Sequence, residues 1–286
     1  MIETEKFFLF LSFVNELHVH TLIEQATKYR DDDKPLHAMQ LLRRVIAWQP
    51  ACEHAYVLLA QIYEEARQYK AAEAVLLQGL RHNPKSETFY VVLGSFHLAR
   101  LEFARALDYF LKIRHRHMPY VHMSLGVAYR GIGKLLQAER ELKLAAQADP
   151  KLPKVFEVWG EVLLELGRTK DALNVLRRAA RLDQYSGSAH HLLADALAAE
   201  GQWQSAYEEY LLAVDMNPDD EEAWFNIANA LIHLDRLDEA KRYLERYLHL
   251  KPNDSTAASV YRSVSAILDT TEGPQPPQPM ARHDRN

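Results

Sequence analysis

The chain repeats itself. Leu59-Ala60-Gln61-Ile62-Tyr63 is followed by Ala72, Leu76 and Pro84, and Leu125-Gly126-Val127-Ala128-Tyr129 is followed by Gly133, Ala138, Leu142, Ala145 and Pro150. Both stretches place an aromatic residue three after a small one, then an Ala, a large apolar residue four later, and a Pro eight beyond that. A unit this short cannot bury its own apolar face, so neighbouring copies must cover one another. The 286 residues are therefore expected to stack unit on unit rather than close around one central core.

Seven units follow one another, beginning near Val19, Glu53, Glu87, Pro119, Pro153, Gly187 and Glu221. The small residue recurs as Ala26, Ala60, Gly94, Gly126, Gly160, Ala194 and Ala228, and the later Ala as Ala38, Ala72, Ala106, Ala138, Ala172, Ala206 and Ala240. Large apolar residues at a 3.6-residue period fill the space between units. This pattern resembles the tetratricopeptide repeat family, whose unit of about 34 residues forms two antiparallel helices; on that resemblance the small residues mark where the two helices of a unit cross closely, with the later Ala expected to face them. Pro50, Pro84, Pro150, Pro218 and Pro252 stop the second helix and set the turn that follows. Pro35 opens a second helix, where a missing N–H is harmless. The third unit and the fifth, which has Gln184 in place of Pro, break the pattern at their closing turns, where a change of superhelical pitch is expected.

The resemblance covers about 230 residues and implies an all-α, right-handed superhelical solenoid with a concave binding groove. On that reading residues 1–18 are an apolar N-terminal helix, 19–254 the seven repeats, 255–270 a capping helix with Ser255 as its N-cap, and 271–286 a disordered proline-rich tail. The run Phe7-Phe8-Leu9-Phe10-Leu11-Ser12-Phe13-Val14 is too short for a membrane span, which needs about 20 apolar residues. It lacks the basic start of a secretory signal, so a cytoplasmic location is the default. It is read as a helix covering the first unit, with a contact between copies of the chain through residues 1–17 as the alternative.

The family's geometry puts the first helix of each unit on the concave face. Helical spacing then lines that face with Ile23, Thr27 and Arg30; Val57, Gln61 and Glu64; Val91 and Ser95; Met123, Val127 and Arg130; Glu157 and Glu161; His191 and Asp195; and Asn226 and Asn229. The first half of this lining is apolar and the second polar and acidic. Charge is segregated in the same way. From Asp183 to Asp235 there are eleven acidic residues and no Lys or Arg, whereas Arg100 to Lys143 holds nine basic and four acidic residues. Such polarity steers partners of opposite sign, so a basic protein or peptide is expected toward the C-terminal half.

The chaperone-binding form of the family uses Lys, Asn and Arg together as a carboxylate clamp. The matching positions here hold Val57, Gln61, Val91, Ser95, Glu157 and Glu161, so that clamp is absent. Asn226 and Asn229 look like the asparagines lining the groove of O-linked N-acetylglucosamine transferase repeats, but occur in one unit only. The sequence has no phosphate loop, nucleophile elbow or H-E-x-x-H motif, so neither catalytic residues nor a cofactor are expected. His115, His117 and His122 lie beside Arg114 and Arg116, whose charge opposes a metal cation. Cys52 is the one cysteine, which excludes a disulfide framework. The net charge of −5 argues against a general nucleic-acid binder. The expected role is a non-enzymatic scaffold or adaptor, within bacterial assembly or secretion. The alternatives are a self-assembling structural protein and a regulatory subunit of a separate enzyme.

Overall fold

A computed structural model describes residues 18–115 and 118–271. Among these residues there are fifteen helices and no strand: α1 (18–31), α2 (Pro35–Trp48), α3 (Glu53–Glu65), α4 (Tyr69–His82), α5 (Glu87–Ala99), α6 (Phe103–Phe110), α7 (Pro119–Gly131), α8 (Leu135–Ala148), α9 (Pro153–Glu165), α10 (Thr169–Leu182), α11 (Gly187–Ala199), α12 (Trp203–Met216), α13 (Glu221–His233), α14 (Leu237–Leu250) and α15 (Ser255–Thr271). The apolar run at Phe7 to Val14, the contact between copies expected through residues 1–17, and the proline-rich stretch from Gly273 lie outside the described residues. The chain divides into two compact units, residues 1–141 and 142–286.

Each helix pair closes through the same turn. One residue per repeat adopts a positive φ: Asp33, Arg67, Leu101, Gly133, Gly167, Gly201 and Asp235, between 56° and 74°. The next N–H then reaches back to a carbonyl five residues earlier, as in Lys34 to Tyr29 (2.7 Å), Gln68 to Tyr63 (2.7 Å) and Arg236 to Leu231 (2.9 Å). This is the Schellman ending, which satisfies carbonyls the helix leaves unpaired. These residues recur every 34 positions except between Leu101 and Gly133, where the step is 32. The third repeat is two residues short, and its second helix, α6, has only 8 residues against 14 in α4, α10 and α12.

The core consists of rows. Ala38, Ala72, Ala106, Ala138, Ala172, Ala206 and Ala240 are fully buried, as are Leu42, Leu76, Phe110, Leu142, Leu176 and Leu244 four residues on. At Gly94 and Gly160 the side chains nearest the backbone are Phe110 and Leu176, not the Ala expected to face them. A Cβ on Gly160 would lie 2.2 Å from a Leu176 methyl, so only glycine admits the approach. Within each unit, substantial contacts join helices one or two places apart in the chain.

The closing turns correct two expectations. Before Pro50, Pro84, Pro218 and Pro252 the backbone is extended, with φ near −130° at Gln49, Asn83, Asn217 and Lys251, as the proline ring requires. Asp183 in the fifth repeat takes the same conformation (φ −134°) without a following proline, so this turn does not break the pattern. In α15 the cap is Asp254 rather than Ser255. Its Oδ1 accepts from the N–H groups of Thr256 (2.9 Å) and Ala257 (3.0 Å), and its Oδ2 from the Tyr247 hydroxyl (2.8 Å). These bonds, led by that from Ala257, hold its carboxyl below the usual range.

Candidate binding face

The first helices carry a uniform row beside a varied one. The small residues are buried in every repeat. The residues one position later are Thr27, Gln61, Ser95, Val127, Glu161, Asp195 and Asn229, and none of them is buried. One turn of helix earlier, the row Val57, Val91, Met123 is half-buried. In the seventh repeat that position is Phe225, which helical counting missed by choosing Asn226 one residue on. Phe225 is half-buried and packs on Tyr247, ring centroids 5.3 Å apart. Two residues expected on the open face are not there. Ile23 is a core residue, 8% exposed. Glu157 is 4% exposed and accepts from Ser186 Oγ (2.9 Å) and Ser188 Oγ (3.2 Å) while pairing with Lys154 (2.7 Å).

In the first unit, Arg30, Gln61 and Glu64 come together with Asp31 and Glu65 around a cavity of about 550 Å³. Arg30 bonds Asp31 (2.9 Å) and reaches the Gln61 amide oxygen (3.4 Å), linking α1 to α3. Burial, and then the Glu65 charge, push the Glu64 carboxyl up. Thr27 donates to the Ile23 carbonyl (3.0 Å). Ser95 donates to the Val91 carbonyl (2.9 Å) and shares a 3.0 Å hydrogen bond with the exposed Tyr120 hydroxyl. Val127 and Arg130 are half-buried on α7.

The second unit carries a denser network. His191 Nδ1 bonds Asp220 (2.6 Å), and its other ring nitrogen lies 3.5 Å from Asp195. Asp195 accepts from the Tyr210 hydroxyl (2.5 Å) and the Asn226 amide (3.3 Å). Asp220 also caps α13 by accepting from the Ala223 N–H (3.1 Å). Burial raises the Asp195 carboxyl, and burial with the Asp195 charge carries the Tyr210 hydroxyl far above its usual range. Glu161 is half-buried and Asn229 exposed. Tyr210 and Asp220 were not legible as site residues, because their partners sit 15 and 29 residues away. The result is a surface of oriented carboxylates and amides, suited to hydrogen bonding and to cations. Among the described residues no group of His, Cys, Asp and Glu is arranged to hold a metal; His115 and His122 bond Glu87 and Glu141 instead. No helix among the described residues is long and apolar enough to cross a membrane.

Comparison with known proteins agrees with this architecture. In coordinates, the chain is similar to PilF of Pseudomonas aeruginosa (TM-score 0.64, 21% identity, 75% of this chain and 97% of that one). It is also similar to PilW, a type IV pilus biogenesis factor (TM-score 0.63, 20% identity, 74% and 98%). In sequence it is 21% identical over 226 residues to the TPR repeat-containing protein YpiA of Bacillus subtilis, covering 78% of this chain and 53% of that protein. It is 22% identical over 195 residues to the BBSome complex member BBS4 homolog of Drosophila melanogaster, covering 67% and 40%. The chain thus spans about half or less of the curated relatives it matches. Patterns described as tetratricopeptide repeat match residues 29–90 and 197–263, and a second such pattern matches 158–221, together more than half of the sequence. With seven Schellman-closed helix pairs and these matches, the chain belongs to the tetratricopeptide repeat family.

Proposed function

We propose that the protein is a non-catalytic interaction scaffold that holds a peptide or protein segment against the first helices of its repeats. The observation that carries this reading is the pair of adjacent rows. One is small and buried in all seven repeats, and the other varies from Thr to Val to Glu to Asn and is never buried. Packing explains the first row and does not explain the second. In the first unit Val57, Val91, Met123 and Val127 offer apolar contact; in the second, Glu161, Asp195 and Asn229 offer carboxylates and an amide. The absence of Lys and Arg between Asp183 and Asp235 favours a basic partner segment there, drawn in by long-range attraction. We infer further that the partner belongs to a bacterial assembly; PilW, which shares the fold, is a type IV pilus biogenesis factor.

Two double variants test the face: Met123→Asp with Val127→Asp, and Asp195→Lys with Asn229→Lys. Tagged protein is used for capture from the native cell, with circular dichroism to confirm helical content. We expect each variant to lose about tenfold of a partner the wild type retains, equivalent to about 1.4 kcal/mol. Undiminished recovery of the same partners by both variants would move binding to another surface.

A further inference from the structure

The shortened third repeat builds a second surface that the first-helix rows do not line. After α6 stops at Phe110, the chain inserts Ile113 into the core, 1% exposed, and returns along the start of α5. There Glu87 accepts from the backbone N–H of Arg114 (3.1 Å), the N–H of His115 (3.1 Å) and the His115 ring (3.0 Å). These bonds, led by the His115 N–H, hold the Glu87 carboxyl below its usual range. The fold-back encloses a cavity of about 420 Å³ lined by Pro84, Lys85, Tyr90, Lys112 and Arg114 with the Glu87–His115 pair. Tyr90 is fixed by donating its hydroxyl proton to the Pro84 carbonyl (2.8 Å). The Lys112 ammonium stands 5.3 Å from the Tyr109 ring centroid and 5.9 Å from that of Tyr90.

We propose that this cavity is a docking site for an acidic peptide segment of a partner protein. Among the described residues, no carboxylate lies within ion-pair distance of Lys85, Lys112 or Arg114. The one carboxylate on the cavity wall, Glu87, has its Oε1 engaged by three donors from Arg114 and His115. Lys112 is held over two aromatic faces, which position its charge without neutralising it. The chemistry favours spaced carboxylates over a compact phosphate. Tight phosphate sites converge several backbone N–H groups on one anion, and here the N–H groups of Arg114 and His115 are consumed by Glu87. The three cations instead come from two segments, Lys85 before α5 and Lys112 and Arg114 after α6, around a wall of Tyr90 and Pro84, which suits Glu and Asp side chains with their methylene stems. Leu111 and Met118, on the same connecting segment, are 42% and 44% exposed and offer apolar contact beside the charges.

The test uses the full chain and a fluorescein-labelled peptide of six glutamates, followed by fluorescence anisotropy at low salt. We expect binding that weakens as salt rises. The variant Lys85→Glu, Lys112→Glu, Arg114→Glu should weaken it about tenfold or more. A variant of equal charge away from the cavity, Lys28→Glu, Lys70→Glu, Lys134→Glu, should weaken it less than about threefold. If the cavity variant loses helical content, Lys112→Glu alone is compared with Lys70→Glu alone on the same criterion. Absence of binding, equal loss in the cavity and control variants, or displacement of the peptide by inorganic phosphate at lower concentration than by free glutamate peptide would each overturn the proposal. Because the cavity variant alters no first-helix residue, its failure leaves the reading of the binding face standing, and the reverse also holds.

Discussion

Position 210 shows how one residue joins core to surface. Its row holds Leu42, Leu76, Phe110, Leu142, Leu176 and Leu244, and the change to Tyr keeps the ring in the core at 3% exposure. The added hydroxyl extends to Asp195 on the neighbouring helix. A similar exchange occurs four residues before the small residue. There the seventh repeat stacks Trp224 on Tyr243 (6.0 Å), whereas the fourth and sixth pair His122 with Glu141 (2.7 Å) and His190 with Glu209 (2.6 Å), each 19 residues apart. Sequence spacing finds such rows because they recur. It does not find the polar contacts, which depend on what the facing helix carries. Burial raises the Asp195 carboxyl, so the folded state favours its protonated form. The associated stability is present below the ordinary carboxylate range and is lost as pH rises through the raised value. Asp195→Asn keeps an acceptor for Tyr210 and Asn226 and removes the charge. We expect its thermal midpoint relative to wild type to rise between pH 4 and pH 7. A relative fall across that interval in paired melts would show that the charge stabilises the fold.

At the scale of the element, the chain closes seven helix pairs with one backbone geometry and four residue types. Three repeats use Gly and four use Asp, Arg or Leu at the same positive φ. A side chain in this region crowds the following carbonyl and costs about 1 kcal/mol or more. Gly133, Gly167 and Gly201 have nothing within 4 Å of where a Cβ would stand, so substitution there isolates backbone strain from packing. We expect Gly167→Ala to destabilise by about 1 kcal/mol and Arg67→Gly to be neutral or stabilising by up to about the same amount. Denaturant midpoints would check this, and a neutral Gly167→Ala would mean that the turn relaxes. The helix pairs themselves were legible, since small, aromatic and Pro positions recur. Their closing turns were legible where a proline follows, the second helix stopping two residues before it as at Trp48 and His82; Asp254 caps α15 where Ser255 also fits by type, and Asp183 makes the fifth closing turn without proline. The eight-residue α6 was less legible. A two-residue deletion shifts no row by enough to hide the repeat, yet it removes the last turns of a helix and creates the fold-back against Glu87.

For the molecule as a whole, the rows imply stability assembled locally. Within each unit the helices contact others one or two places away, so truncating one core residue should be felt by adjacent repeats and little beyond. Leu76 is fully buried among Tyr56, Ala60, Ala72, Phe89 and Leu93 on α3, α4 and α5. Leu76→Ala removes three methyl or methylene-level groups there and should cost about 3 kcal/mol locally. A single closed core would spread that loss over every element, because such domains unfold as one cooperative unit. A linear array would instead open around the cavity. We therefore expect hydrogen exchange in the variant to accelerate in α3, α4 and α5, by up to about a hundredfold for the 3 kcal/mol lost, while the amides of α11 to α14 keep their wild-type rates. Equal acceleration of both sets would show that the chain unfolds as one body despite its repeats. Restriction of the effect to α3–α5 would mean that binding at one repeat can order its neighbours without stiffening the rest, which is what a scaffold reading separate segments at separate units requires.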